Sequence, residues 1–474
     1  MKYFLYITGC DMNYSDAERI ATVFNEHGFS LASSEGESDI IVAVACSVRE
    51  KAVHKIYGKV EKWRKINKTR NQENKKTKIM VTGCVLPHDK KKLEEKVELV
   101  FEIKEIEKLR NFLQKISNFQ FSISNKFSMT NDQYLSINPQ YHSKYSVFVP
   151  IMTGCDNFCS YCAVPYTRGR EVSRPQEEIL EEIRSLVEAG YKEITLLGQN
   201  VNSYGKILNS QFSILNQISN HNDQNLKIET LKNSMEIENC KLKINNPFLT
   251  LLKQIDQLEG NYWVRFYANH PKDMSDELIN FLVQSKHFCH YIHLPLQSGD
   301  DEILKKMNRH YTAKQYLDLV KKIRKKIPDV VLTTDIIVGF PGEDEKAFNN
   351  TVDVMKKSKF DMAFIAEYST RSGTVASKLN DDVTHAEKER RKKYLNDEIL
   401  AKSILENNKK MVDKKVRILL SGIDNKGFLK GKTAGLKDVK IPFVKTEHTT
   451  EIGDFIDVVI TKAGSWGLEG KFQE

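Results

Sequence analysis

Three strand-sized apolar runs near the start of the chain each lead to a cysteine, and that pattern limits the fold more than any other feature. Residues 3–7, 39–45 and 78–82 are β-rich and are followed by Cys10, Cys46 and Cys84. Helical stretches lie between them. Ser15, Asp16, Ala17 and Glu18 form a capping box that opens a helix to about His27, with Gly28 as its stop. A second helix runs from Val48 to about Ile66. Alternating strands and helices predict a parallel sheet with crossover helices. The carboxyl ends of parallel strands lie along one edge, where ligands bind. Three cysteines 36 and 38 residues apart in sequence are therefore expected to converge in space.

The rest of the chain predicts two further units. Strand runs at 147–152, 193–197, 263–267, 291–294, 330–338 and 361–368 alternate with helices, as in a partial or full (β/α) barrel. A long charged helix spans 384–412. Short β runs at 416–420, 428–432, 455–461 and 468–472, separated by Gly, Asn and Asp turns, predict a small antiparallel barrel of a kind used to hold nucleic acid. The expected class is α/β: a Rossmann-like parallel sheet over 1–116, a polar linker at 117–140, a (β/α) partial barrel over 141–383, the connecting helix at 384–412 and the small β-barrel at 413–474. Residues 206–246 hold nine Asn and no Gly or Pro, and read as an inserted surface loop. Cys240 lies in that insertion and is given no role. Cys289 lies beside a strand run and reads as a small core residue.

With 474 residues, 40% of them hydrophobic, the chain has material for several cores. No apolar run approaches the ~18 residues of a membrane helix, and the N-terminus lacks the pattern of a secretory signal. A cytosolic protein without membrane contact is expected. In that compartment eight cysteines point to metal or redox chemistry and not to disulfides. The net charge of +9 comes from 72 basic and 63 acidic residues. Residues 61–78 carry eight Lys or Arg against two Glu, and 305–326 and 390–417 are also basic. These segments fit a phosphate-bearing partner, although charge alone favours solvated helix faces.

Cys155, Cys159 and Cys162 have the spacing C-x3-C-x2-C and follow a predicted strand. Three thiolates can hold three irons of a 4Fe-4S cube and leave the fourth iron without a protein ligand. An open iron can chelate adenosylmethionine through its amine and carboxylate, and an electron from the cluster then releases a 5′-deoxyadenosyl radical. A structural zinc ion wants four closed ligands. The next Cys or His downstream is His221, inside the insertion, so a local zinc site is incomplete. Cys10, Cys46 and Cys84 form a second three-thiolate set, whose open iron can carry an exogenous sulfur ligand. Taken singly, each reads as a buried apolar thiol.

The stretches 8–13, 45–52, 82–85, 154–162, 164–175, 196–205, 293–299, 335–343 and 368–374 resemble the radical-SAM methylthiotransferases, and the C-terminal barrel looks like a TRAM domain. The run from Cys46 to Ala52 and the Val164-Pro165-Tyr166-Thr167-Arg168-Gly169 run are most similar to the MiaB type. That resemblance implies two 4Fe-4S clusters and two uses of adenosylmethionine, one as methyl donor and one as radical source. It implies a methylthio group added at C2 of isopentenyladenosine, beside the anticodon in a tRNA stem-loop. It also implies a low-potential electron donor such as flavodoxin or ferredoxin, and a monomer. Gly198, Gln199, Asn200, Gln297, Ser298 and Gly339 are implied to touch adenosylmethionine; simple turn geometry explains the glycines as well. Arg168 and Arg371 suit either a carboxylate or phosphate partner or a structural ion pair. The same chemistry on threonylcarbamoyladenosine, or on an aspartate of a ribosomal protein, is the alternative within the family. A non-catalytic RNA-binding protein with a structural metal is the alternative outside it.

Overall fold

A computed structural model of the chain describes residues 1–46, 50–70, 76–117, 133–205, 246–442 and 450–472. Cys240 and the Asn-rich segment up to residue 245 lie outside the described residues, as does the start of the second predicted helix. No helix among the described residues is long and apolar enough to cross a membrane.

The N-terminal sheet is built from β1 (Lys2–Ile7), β2 (Ser30–Leu31), β3 (Ile40–Ala45), β4 (Lys78–Gly83) and β5 (Leu99–Val100), all parallel and ordered β2-β1-β3-β4-β5. Every residue of β3 is buried, as expected for a central strand covered on both faces. Helices α1 (Asp11–Glu26) and α4 (Ile106–Ser117) contribute to the core on one face, around Phe24, Val42 and Leu109. Helix α2 (Glu50–Arg70) packs Ile56, Val60 and Trp63 on the other. The short helix α3 (Pro87–Glu94) follows β4. Tyr134, Leu135 and Ile137, from the stretch expected to be polar linker, are buried in the first of these cores.

The predicted capping box does not cap. Helix α1 starts five residues earlier, with Cys10 at its N-cap, and Ser15 lies inside it with its Oγ accepting from Arg19 Nη1 at 2.8 Å. The reason is tertiary. Asn13 Nδ2 donates to the carbonyls of Thr8 (2.6 Å) and Ala45 (2.9 Å), which pins the first helical turn against the ends of β1 and β3. These bonds outweigh a local capping signal. The expected stop is present: Gly28 has φ +76.

The central unit places β6 (Ser146–Pro150), β9 (Glu193–Leu197) and β10 (Trp263–Phe266) in one parallel sheet, and β11 (Tyr291–His293), β12 (Val331–Val338) and β13 (Met362–Glu367) in another. A parallel bridge between Val264 and Phe288 continues one sheet into the next. The result is a six-stranded arc with helices outside, a partial barrel. Between β6 and β9 lie β7 (Met152–Thr153), α5 (Val164–Thr167), β8 (Val172–Ser173) and α6 (Gln176–Glu188).

The predicted charged helix is interrupted. It runs as His385–Tyr394, a π-turn at Leu395–Leu400 and Ala401–Lys409. The π-turn buries Leu395, Ile399 and Leu400 against the central core. The C-terminal strands β14 (Lys415–Ile423), β15 (Leu429–Thr433), β16 (Asp438–Ile441), β17 (Phe455–Gly464) and β18 (Gly467–Phe472) close in the order β14-β15-β16-β18-β17. One correction applies: β16 and β18 pair parallel, while the other four pairs are antiparallel. The expectation of a wholly antiparallel barrel missed β16, whose four residues carry little signal.

The turn between β15 and β16 enters the central barrel. Its tip packs Ala434 and Leu436 against Trp263, Tyr267, Tyr291, Val331 and Cys289, so Cys289 is the core residue expected. Arg265, fully buried, donates to the carbonyls of Ala434 (3.0 Å) and Thr433 (3.3 Å) and pairs with Glu193. Lys437 Nζ reaches Asp361 and Asn408, each at 2.8 Å. A Cβ on Gly435 would stand 2.2 Å from Val331, so the tip can approach this closely with glycine there.

Removing one partner of a buried pair leaves an uncompensated charge, at a cost of about 3–5 kcal/mol. Arg265→Ala is therefore expected to lower the thermal unfolding midpoint and to make the C-terminal barrel the first part released by limited proteolysis. Lys462→Ala, which breaks an exposed pair with Glu469, is expected to leave both readouts at the parent value.

Candidate metal centres and the cavity between them

The first cysteine set lies on a loop with a tight stem. The stem is the antiparallel pair β7–β8, with Met152 opposite Ser173 and Thr153 opposite Val172. Gly154 has φ +76, and a Cβ there would sit 2.0 Å from the carbonyl oxygen of Arg170. Glycine is thus required where the two sides of the stem touch. The loop is fastened at its far end too. Asn308 Nδ2 donates to the carbonyl of Phe158 at 3.0 Å, and Ser160 N donates to that of Met307 at 3.1 Å. Arg170 pairs with Asp156 at 2.6 Å across its rim.

Among the described residues two side chains donate to this sulfur set. Arg309 Nη1 lies 3.3 Å from Cys159 Sγ, and Asn157 Nδ2 lies 3.5 Å from Cys155 Sγ. Burial pushes the Cys155 thiol up to about 11 and the Cys162 thiol up to about 12, with Cys159 adding to both. A metal bound as thiolate reverses this balance, so loading the set releases protons. Among the described residues no three His, Cys, Asp or Glu side chains gather closely enough for one metal ion. A cube distributes its thiolates over separate irons, so its ligands stand farther apart than those of one zinc ion.

The second set forms where the parallel ladder ends. Cys10, Cys46 and Cys84 follow β1, β3 and β4. Gly9 and Gly83 have φ +113 and +94; a Cβ on Gly9 would stand 2.5 Å from Cys46 Cβ, and one on Gly83 2.5 Å from the carbonyl oxygen of Ala45. Glycine before Cys10 and before Cys84 is what lets the three turns close together. Cys46 and Cys84 are buried, while Cys10 opens onto a cavity. Protein surrounds Cys10 on its other sides, and burial pushes its thiol up to about 11; Cys84 and Cys46 add to the rise and Arg168 opposes it.

Arg168 joins the two sets. Its Nε donates to Cys84 Sγ at 3.1 Å, and its Nη2 donates to Asn13 Oδ1 at 3.0 Å and Asp16 Oδ2 at 2.7 Å. The side chains of Arg168 and Asp16 are 2% and 1% exposed. Of the two readings open for Arg168, the structural ion pair is the one found, with a thiol added.

A cavity of about 490 Å³ lies against the second set. Cys10 and Cys46 line one side, and Tyr267, Tyr291, Phe364 and Leu436 line others. A neighbouring cavity of about 220 Å³ is lined by Cys162, Gln297, Tyr368 and Arg371. Asp335 and Phe364 line both, so the two sets border adjoining spaces. At the larger cavity, His293 Nε2 is 3.2 Å from Asp335 Oδ2 and its Nδ1 is 2.9 Å from Thr333 Oγ1. Sequence reasoning missed Tyr267, Tyr291, His293, Asp335, Phe364 and Leu436. A signal existed for Thr333 and Asp335, polar residues two apart in an apolar strand, which is the spacing of one face. None existed for Leu436, which arrives from another domain.

The residues expected at adenosylmethionine are spread over the carboxyl ends of the barrel strands. Gln199 Oε1, Asn200 Oδ1 and Asn269 Oδ1 are buried acceptors with no hydrogen-bond partner among the described residues. Such atoms suit an ammonium or ribose hydroxyl donor. Gln297 has φ +70 and lines the smaller cavity. Gly198 and Gly339 leave no room for a Cβ, which would meet Met152 and Lys388 at 2.5 and 2.3 Å. Ser298 is fully buried, with its Oγ accepting from Asp300 N at 3.2 Å. The three-thiolate donor set and these orphaned acceptors fit a cluster with adenosylmethionine beside it.

Residues 149–355 match the family described as Radical SAM superfamily, and residues 2–102 match the one described as Uncharacterized protein family UPF0004. The chain is 37% identical over 476 residues to a tRNA-2-methylthio-N(6)-dimethylallyladenosine synthase from Clostridium tetani, covering 99% of this chain and 96% of the relative. It is 35% identical over 477 residues to the protein of that name from Thermoanaerobacter sp., covering 100% and 93%. Among solved structures, the cobalamin-dependent S-adenosylmethionine radical enzyme OxsB matches with a TM-score of 0.50 at 12% identity, covering 85% of this chain and 56% of that one; this is a likeness of fold. With one cysteine triplet at the ends of parallel strands, another on the β7–β8 loop, and relatives of one name matched over nearly their whole length, the chain belongs to the radical-SAM methylthiotransferase family, among the tRNA-2-methylthio-N(6)-dimethylallyladenosine synthases.

Proposed function

We propose that this chain adds a methylthio group to C2 of N6-isopentenyladenosine next to the anticodon of tRNA. The observation that carries the reading is the cavity at Cys10 and Cys46, which adjoins the smaller one at Cys162. Aromatic and aliphatic side chains dominate its lining, its acidic residues are Asp11 and Asp335, and no Lys or Arg lines it among the described residues. A neutral, apolar isopentenyl group suits such walls.

Cys155, Cys159 and Cys162 would hold one 4Fe-4S cluster, and Cys10, Cys46 and Cys84 a second. When bound, these groups supply the electron that makes a 5′-deoxyadenosyl radical from adenosylmethionine and a resting place for the sulfur to be transferred. Radical chemistry is needed because C2 of adenine is an unactivated C–H position that no side-chain base can deprotonate at neutral pH. The chain's own task is placement. Gln199, Asn200, Gln297 and the backbone at Gly339 hold adenosylmethionine, with Gly198 and Ser298 shaping those turns. Tyr267, Tyr291 and Phe364 pack the flipped base, and Leu436 closes the floor under its alkyl group. Lys432 and the basic face of α2 meet phosphates of the stem-loop.

In this reading residues 1–116, 141–383 and 413–474 are the three working units, with 117–140 and 384–412 as connections. A flavodoxin or ferredoxin supplies electrons, and the enzyme acts as a monomer in the cytoplasm.

Anaerobic reconstitution is expected to give about eight irons per chain, and about four in the Cys10→Ala, Cys46→Ala, Cys84→Ala triple variant. A wild-type count near four overturns the second cluster. Mass spectrometry of tRNA nucleosides from a strain lacking the gene is expected to lose methylthio-isopentenyladenosine and accumulate isopentenyladenosine; unchanged levels refute the substrate. In this reading the isopentenyl group completes the burial of Leu436, which is half-buried without it, and Leu436→Ala removes that contact, worth ~1.5–3 kcal/mol. It is expected to lower kcat/KM for the isopentenylated stem-loop by about ten- to a hundredfold, following from that energy, and an unchanged value shows that Leu436 does not meet the substrate.

A further inference from the structure

Arg168 lies six residues beyond Cys162, across the single helical turn α5, and its guanidinium ends on Cys84 of the other set. The contact extends further than one sulfur. Arg168 Nη2 also holds Asn13 Oδ1 at 3.0 Å, and Asn13 Nδ2 binds the carbonyls of Thr8 and Ala45. Those carbonyls lead into the turns that carry Cys10 and Cys46. Cys84 N in turn donates to the same Ala45 carbonyl at 3.0 Å. One buried side chain from the radical-SAM loop therefore reaches all three N-terminal cysteine turns, one directly and two through Asn13.

We propose that Arg168 is a positioning residue that sets the reduction potential of the N-terminal cluster and fixes that cluster against the Cys155, Cys159 and Cys162 loop. This rests on the two-cluster reading above. A guanidinium N–H on a cysteine sulfur stabilises negative charge on the cluster, and it does so most in the reduced state, where that charge is greatest. The effect is strong here because water is excluded. Asp16, 2.7 Å away, orients the guanidinium and balances the buried charge. The arrangement also makes the cluster's surroundings unequal. The Cys84 corner is bound into protein by Arg168, while the Cys10 side faces the cavity where sulfur transfer is assigned.

The test uses the full chain with Cys155, Cys159 and Cys162 replaced by Ala, so that iron reports the N-terminal site alone. Arg168→Gln and Arg168→Lys are made in that background, and iron content, thermal unfolding and an EPR-monitored redox titration are measured. The parent is expected to bind about four irons, following from one cube. Arg168→Gln is expected to titrate at a more negative midpoint potential with altered EPR features, and Arg168→Lys, which keeps the charge, to recover part of the shift. Loss of iron by Arg168→Gln with unchanged unfolding also supports the proposal, as loss of the anchor. Equal potentials at equal iron content overturn it. So does loss of iron together with a lowered unfolding temperature in both variants, which makes Arg168 a scaffold residue alone. A parent that binds no iron overturns the two-cluster reading, and this proposal with it.

Discussion

Unslipped parallel pairing is the constraint on which the rest depends. Ile7 stands opposite Val44, and Ala45 opposite Gly83. These registers bring three chain turns to one edge. A slip of one residue would turn every side chain of the slipped strand to the other face. It would also part Gly9 from the Cys46 side chain, which leaves no space there for a Cβ. The sheet's buried faces fix the register, because Val42 and Val44 belong to one core while Ile41 and Ala43 belong to the other. Hydrophobic sorting thus determines where the thiols stand.

Much of this was legible in the sequence, and the reason is local. The strands β1, β3, β4, β6, β9, β10, β12 and β13 are runs of β-branched and aromatic residues with turns between them, and such runs announce themselves. The cysteine loop is legible because its three cysteines lie within eight residues of each other. What stayed hidden depends on distant partners. The start of α1 was misread because Asn13 answers to Thr8 and Ala45, not to the capping signal at Ser15. β16 was missed because its four residues form a strand through their neighbours in the closed barrel. Arg168 had no assignable partner, since Asp16 and Cys84 lie 152 and 84 residues away in sequence.

The cavity is a joint product of three units. The N-terminal sheet brings Cys10 and Cys46, the partial barrel brings Tyr267, Tyr291, His293, Asp335 and Phe364, and the C-terminal barrel brings Leu436. Two buried arginines hold this assembly together: Arg168 reaches from the centre to the N-terminal sheet, and Arg265 holds the C-terminal hairpin tip. Arginine suits the role because its rigid fork serves several acceptors at once and keeps its charge when buried. Each is neutralised by one acid, Asp16 or Glu193, so the junctions are specific without leaving a bare charge inside.

The hairpin tip carries a consequence for how the protein is born. A ribosome releases the chain from its amino end, and both cysteine triplets emerge long before Leu436 is added. At roughly 5–20 residues per second, the interval from Cys162 to Leu436 is on the order of tens of seconds. During that time the nascent chain lacks the residue that lines the cavity from the C-terminal barrel, and that side stands open. This late-made hairpin is thus a timed addition, completing one wall of the cavity after the residues of its other walls have been translated.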